Sequence, residues 1–128
     1  MYRPTGGTMD TLKLCESDLR FMQLVWEYEP IHSSKLVELC NEKFGWKKST
    51  TYTMIKKLCE KEFAKSENAI VTSLIPKEKV QAYESKYIVE NSFGGSLPSF
   101  ITSFLGNNKL TKEEAIELKK LIDEYEVK

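Results

Sequence analysis

Between Trp46 and Lys61 the chain reads WKKSTTYTMIKKLCEK, the stretch whose side chains are best suited to act on another molecule. Lys47, Lys48, Lys56, Lys57 and Lys61 stand there against one acid, Glu60. Met54, Ile55, Leu58 and Cys59 recur at the i, i+3/i+4 spacing of a helix buried along one face. Ser49, Thr50, Tyr52, Thr53 and Lys56 lie between them: short hydrogen-bonding groups, an aromatic ring and a cation. Such groups contact base edges and phosphates in a DNA major groove, which admits one α-helix. From Lys48 to Lys61 a helix would run roughly 20 Å at about 1.5 Å per residue. Ser49, Thr50, Tyr52 and Thr53 fall in its N-terminal half, the part that reaches bases in helix-turn-helix docking. Lys47, Lys48, Lys56 and Lys57 are expected on flanking phosphates, where they position without specifying. Taken alone, the pattern also fits an amphipathic surface helix with a solvated lysine face. Its neighbours decide between the two.

Upstream, Leu12 to Tyr28 holds a first helix, beginning near Cys15 to Ser17. Its apolar stripe is Leu19, Met22, Val25 and Trp26, widened by Phe21 and Leu24. Glu16 and Asp18 suit the dipole of the first turn. Pro30 stops this helix. Ile31 to Gly45 holds a second, with His32, Ser33 and Ser34 as capping groups and Leu36, Val37, Leu39, Cys40 and Phe44 facing inward. Gly45 ends it where a left-handed residue is commonly needed. His32 is the only histidine and is expected to cap or to lie on the surface. Downstream, Phe63 to Ile75 splits into two extended pieces around Ser66–Asn68, with Val71, Ser73 and Ile75 alternating with Thr72 and Leu74. A hairpin directly after a basic helix is a wing. Its one cation is Lys65, and Glu67 and Asn68 sit at its tip.

Pro76 opens a new helix, lined on one side by Val80, Tyr83, Tyr87 and Ile88. Gly94 and Gly95 break the chain. Leu97, Phe100, Ile101, Phe104 and Leu105 then crowd a short apolar helix. Thr111 to Glu114 is a capping box, and Ala115, Leu118, Leu121, Ile122 and Tyr125 stripe the helix behind it. A segment this small cannot cover so many apolar side chains alone, and exposed patches of that kind mark a partner surface. A two-fold protein suits a symmetric operator. Val80, Tyr83, Tyr87, Leu97, Phe100, Ile101, Phe104, Leu118, Leu121, Ile122 and Tyr125 are therefore expected in a homodimer interface. Folding of these helices back onto the first domain is the other arrangement.

The fold expected is mostly α with a small β-wing. A flexible leader spans residues 1–11, a winged helix-turn-helix DNA-binding domain 12–75, and a three-helix dimerisation domain 76–128. Nineteen Lys and Arg balance nineteen Asp and Glu, which argues against a generally basic nucleic-acid binder. Phosphate contacts are local, however, and residues 43–61 hold six lysines and one glutamate. No apolar run approaches the roughly 20 residues of a membrane helix, and the start MYRPTGGTMD has no apolar signal segment. Cys15, Cys40 and Cys59 form no CxxC and no Cys/His cluster, so neither disulfide framework, metal site nor cofactor is expected. The chain reads as cytosolic. No nucleophile elbow, phosphate loop or paired catalytic carboxylate is present to suggest an enzyme.

The order and spacing of several short motifs resemble the penicillinase-repressor family, winged-helix repressors that include the methicillin-resistance and copper-responsive regulators. These motifs are Leu24-Val25-Trp26, Gly45-Trp46, Ser49-Thr50-Thr51-Tyr52-Thr53 followed by Lys57-Leu58, Phe93-Gly94-Gly95-Ser96-Leu97, and Leu110 to Leu118. The resemblance runs from about Leu14 to Tyr125. It implies a dimeric repressor that binds dyad operators in double-stranded DNA. In antibiotic-responsive members it implies cleavage, set off by a membrane sensor-protease system, just before a phenylalanine that matches Phe104. Those members carry asparagine before the cut, where this chain has Ser103. The paired C-terminal cysteines of the copper-responsive members are missing after Cys59. The competing class is a winged-helix protein-interaction module without specific DNA binding, favoured by neutral charge and a wing with one cation.

Overall fold

The computed structural model describes residues 12–106 and 109–125, so the leader expected at 1–11 lies outside the described residues. The elements are α1 (Glu16–Tyr28), β1 (Ile31–His32), α2 (Ser33–Phe44), α3 (Lys48–Glu60), β2 (Ala64–Glu67), β3 (Ile70–Ser73), α4 (Lys77–Ser92), α5 (Leu97–Leu105) and α6 (Lys112–Glu124). Three helices and an antiparallel sheet of order β1-β3-β2 make a winged helix, as the sequence led us to expect.

Its core is built from helical stripes that meet. Phe21, Met22, Leu24 and Val25 of α1 pack with Leu36, Leu39 and Cys40 of α2, Met54, Ile55 and Leu58 of α3, and Phe63, Ala64 and Val71 of the hairpin. α2 ends at Gly45, whose φ of +69° is the left-handed conformation glycine adopts without a Cβ clash. That turn releases the chain into α3 within a few residues.

The sheet differs from expectation in two places. Ile31 and His32 are not helical: they form β1 and pair with Val71 and Ile70 of β3. Two residues carry too little alternation to register as a strand. His32 still caps α2, its Nδ1 accepting the Ser34 N–H at 3.1 Å. The hairpin turn is Asn68–Ala69, and Ser66 and Glu67 belong to β2, with Glu67 opposite Ile70. Both turn residues have positive φ, 51° and 65°, as the tight mirror-image turn that matches strand twist requires. Two side chains of the first helix and its end hold the base of the wing. The Glu29 carboxylate accepts the Ser73 N–H at 2.7 Å and its hydroxyl at 2.9 Å, and Trp26 Nε1 donates to the Ile75 carbonyl at 2.9 Å.

The chain divides into two compact units after Lys86. The reason is the start of α4. Val80 is fully buried in the core of the first unit, and Tyr83 is buried as well. Neither presents the free surface expected of an interface side chain. In the second unit, the Ser96 hydroxyl accepts the Ser99 N–H at 3.1 Å to cap α5, with Pro98 in the first turn. The Thr111–Glu114 box caps α6 at 3.1 and 3.0 Å. Phe100 meets Phe93 edge-on at 5.4 Å and Phe104 at 6.2 Å, yet no described residue of α5 or α6 is buried. No helix among the described residues is long and apolar enough to cross a membrane.

Val80→Ala should lower unfolding stability by about 1–3 kcal/mol in urea denaturation, as removal of buried methyl groups does, and leave the sedimentation coefficient unchanged. Dissociation without loss of stability would instead put Val80 at a contact between copies.

Candidate nucleic-acid interface

α3 has two sharply different sides. Thr51, Met54, Ile55 and Leu58 turn inward and are buried. Ser49, Thr50, Thr53 and Lys56 are exposed, as are Lys47 and Lys48 at the helix start and Tyr52, at 41%. The four side chains expected to read bases therefore share an outward N-terminal surface with three of the expected phosphate-binding lysines. Lys48 Nζ lies 6.0 Å from the centre of the Tyr52 ring, a cation–π contact that orders both side chains.

The start of this helix is electrostatically inverted. Its cap residue Lys47 makes no side-chain cap bond, and the first turn holds no acid. Cations beside the positive end of a helix dipole are unfavourable, whereas an anion placed there is stabilised by free N–H groups and dipole together. Lys47, Lys48 and the exposed first turn thus form a site suited to a phosphate.

Two expected cations are engaged elsewhere. Lys57 does not extend outward: its Nζ lies 2.8 Å from Asp18 Oδ1, and Lys61 Nζ lies 3.0 Å from Oδ2. Lys57 Nζ is also 3.9 Å from Cys15 Sγ. Lys65 lies 3.4 Å from Glu67 on the exposed wing, a pair worth little in water. The physical reason for the Lys57 placement is Asp18, which is fully buried under α3 and must be matched by charge. Sequence reasoning assigned Asp18 only to the helix dipole. Its spacing held the missing signal: it precedes Phe21 and Met22 by one helical turn, on the apolar face. Thr51 was missed in the same way, since it precedes Met54, Ile55 and Leu58 at helical spacing.

Burial alone pushes the Asp18 carboxyl up, but hydrogen bonds from Lys57, Lys61 and Cys15, with the charge of Lys61, carry it below its ordinary value. The hydrogen bond to Asp18 raises Lys57 in turn. Burial raises the thiols of Cys40 and Cys59, so neither is poised as a nucleophile. Cys15, exposed at the cap of α1, makes no cap bond. No group of His, Cys, Asp and Glu among the described residues could hold a metal ion.

Residues 14–124 match the family model described as penicillinase repressor. The chain belongs to the penicillinase repressor family. It is 21% identical over 117 residues to a penicillinase repressor of Bacillus licheniformis, covering 88% of this chain and 91% of that one. It is 22% identical over 117 residues to the methicillin resistance regulatory protein MecI of Staphylococcus aureus, covering 88% and 95%. An uncharacterized 16.5 kDa protein of Latilactobacillus sakei matches at 22%, over 88% of this chain and 80% of its own. The family is one of regulators rather than enzymes.

Because the folded carboxyl of Asp18 lies below its unfolded value near 3.8, its ion pairs stabilise the protein above that pH. This contribution is lost as pH falls through the folded value. Asp18→Asn should cost about 1–3 kcal/mol near neutrality, as loss of a charged hydrogen-bond partner does, and should flatten the acid limb of the stability curve. An acid limb of unchanged steepness in urea titrations from neutral pH downward would contradict the assignment.

Proposed function

We propose that this protein is a transcriptional repressor that binds a dyad operator as a homodimer, reading bases with the N-terminal half of α3. The observation that carries the reading is the outward surface of that helix, where Ser49, Thr50, Tyr52 and Thr53 are exposed beside Lys47, Lys48 and Lys56. Hydroxyls and an amphipathic ring suit base edges, and the lysines suit the phosphates on either side. The relatives named as a penicillinase repressor and a methicillin resistance regulator support the same role. The protein acts in the cytoplasm, where its operator lies.

Dimerisation is supported by the second unit. Leu97, Ile101, Phe104, Leu118, Leu121, Ile122 and Tyr125 are all exposed there, while Tyr87 and Phe100 are half-buried. Apolar surface of this extent is a partner surface, and a second copy supplies the two-fold that a dyad operator matches. Release by a sensor-protease system is the finer reading. The bond between Ser103 and Phe104 lies on a short exposed helix without a buried residue, a segment that opens locally at low cost. Mass spectrometry of protein recovered from β-lactam-challenged cells should find a fragment beginning at Phe104; an intact chain with relieved repression would exclude that route.

Duplexes selected from a random pool by the protein should show a common dyad sequence. In anisotropy titrations at about 50 and about 200 mM salt, the selected duplex should stay preferred over a scrambled one while both weaken. Equal and weak binding to the two duplexes would leave only charge attraction and favour the protein-interaction module. Lys48→Gln should weaken binding to both alike and lower the salt slope by about 0.9, the share of one phosphate contact. Loss confined to the selected duplex would refute a phosphate role. Leu118→Asp should convert the dimer to monomer in sedimentation, since an unpaired charge at an apolar contact costs on the order of 2–5 kcal/mol. A variant that still sediments as a dimer would move the interface elsewhere.

A further inference from the structure

Asp18 sits in the first turn of α1, yet its carboxylate faces the C-terminal end of α3, with Lys57 Nζ in ion-pair contact 2.8 Å from Oδ1 and Lys61 Nζ, at the C-cap, donating to Oδ2 at 3.0 Å. Those lysines are one helical turn apart and so lie on one side of α3. Their ammonium groups point back to a carboxylate with no exposed surface. A buried charge with two partners has a narrow set of acceptable geometries, because any rotation or slide of α3 leaves one oxygen unpaired in a poorly solvated place. The buried face of α3 excludes large rotations, so the ion pairs act on the small ones that its packing still allows.

We propose that Asp18, Lys57 and Lys61 form a clamp that fixes the rotation of α3 about its own axis, making them positioning residues for base readout rather than phosphate contacts. The proposal rests on the DNA-reading role given to α3 above. The clamp grips the C-terminal end of the helix, whereas Ser49, Thr50 and Thr53 stand near the other end. A rotation of α3 about its axis would carry those hydroxyls with it, away from the hydrogen-bonding distance that a base contact requires. The clamp also sets one carboxylate against two of the five lysines of this stretch, so the three groups together keep one net positive charge. Lys47, Lys48 and Lys56 supply the other cations, and discrimination depends on how the outward face is aimed.

Lys57→Gln is the first test, because its partly exposed side chain can be changed without opening the core. On the duplex selected by the wild-type protein, affinity should fall about tenfold, the scale of one lost base contact. Binding to scrambled duplex and the salt slope should stay as in wild type, and Lys57→Arg should restore the preference. Lys61→Gln should act in the same direction. A slope lower by about 0.9, with equal loss on both duplexes, would make Lys57 a phosphate contact and overturn the clamp. Unchanged binding to both duplexes, with only thermal stability reduced, would make the ion pairs purely structural and overturn it as well. If the wild-type protein itself selected no sequence, the DNA reading would fail and the clamp with it, an outcome visible before any variant is made.

Discussion

The burial of one face of α3 is the constraint on which the rest of the first unit depends. Thr51, Met54, Ile55 and Leu58 are held among Phe21, Met22, Leu36 and Phe63, so the opposite face has nowhere to go but outward. Close-packed interiors do not tolerate a rotated helix, because each buried side chain would have to leave its cavity. α1 and α2 are in this sense a mount, and Gly45 lets α3 leave it at once. The wing follows from the same core. Val71 is drawn into it, and Glu29 and Trp26 tie down the strand ends that flank it.

Two local rules are broken at the ends of α3. Lysines crowd the N-terminus, where a dipole favours acids, and a carboxylate is buried near the C-terminus. A buried ion pair contributes little net stability against an apolar alternative, since desolvation offsets the attraction. Local rules broken at two ends of one helix mark a surface shaped for something other than folding. The neutral total charge sharpens the point, because attraction to a polyanion then comes from where the cations lie and which of them are free.

Much of this could be read before any coordinates. The helices of the first unit have strong 3.6-residue periodicity, Gly45 and Pro30 punctuate them by known chemistry, and the Thr111 box does the same for α6 in the second. Those features are local, so sequence carries them. What escaped was non-local. Ile31–His32 becomes a strand only because β3 returns beside it, and Val80 joins the first core through contacts no pattern within α4 announces. Lys57 looks like any surface lysine until Asp18 is found 2.8 Å away, thirty-nine positions upstream. The polar residue on an apolar stripe was the available clue: Asp18 and Thr51 both occupy inward positions, and Asp18 was read by its type instead of its phase.

The second unit makes the weak charge of the first intelligible. Lys47, Lys48 and Lys56, which make no ion pair among the described residues, and a thin wing limit what one α3 can gain from phosphate contacts. If the apolar faces of α5 and α6 join two copies, the second recognition helix binds from an effective concentration set by its tether, and its contribution multiplies that of the first. Modest attraction at each half-site then becomes an advantage. A strongly basic helix would hold the dimer on any DNA, whereas two weakly basic ones hold only where both outward faces find their bases at the right spacing. On this argument the exposed leucines and aromatics of the second unit are as much a part of sequence discrimination as the hydroxyls upon α3.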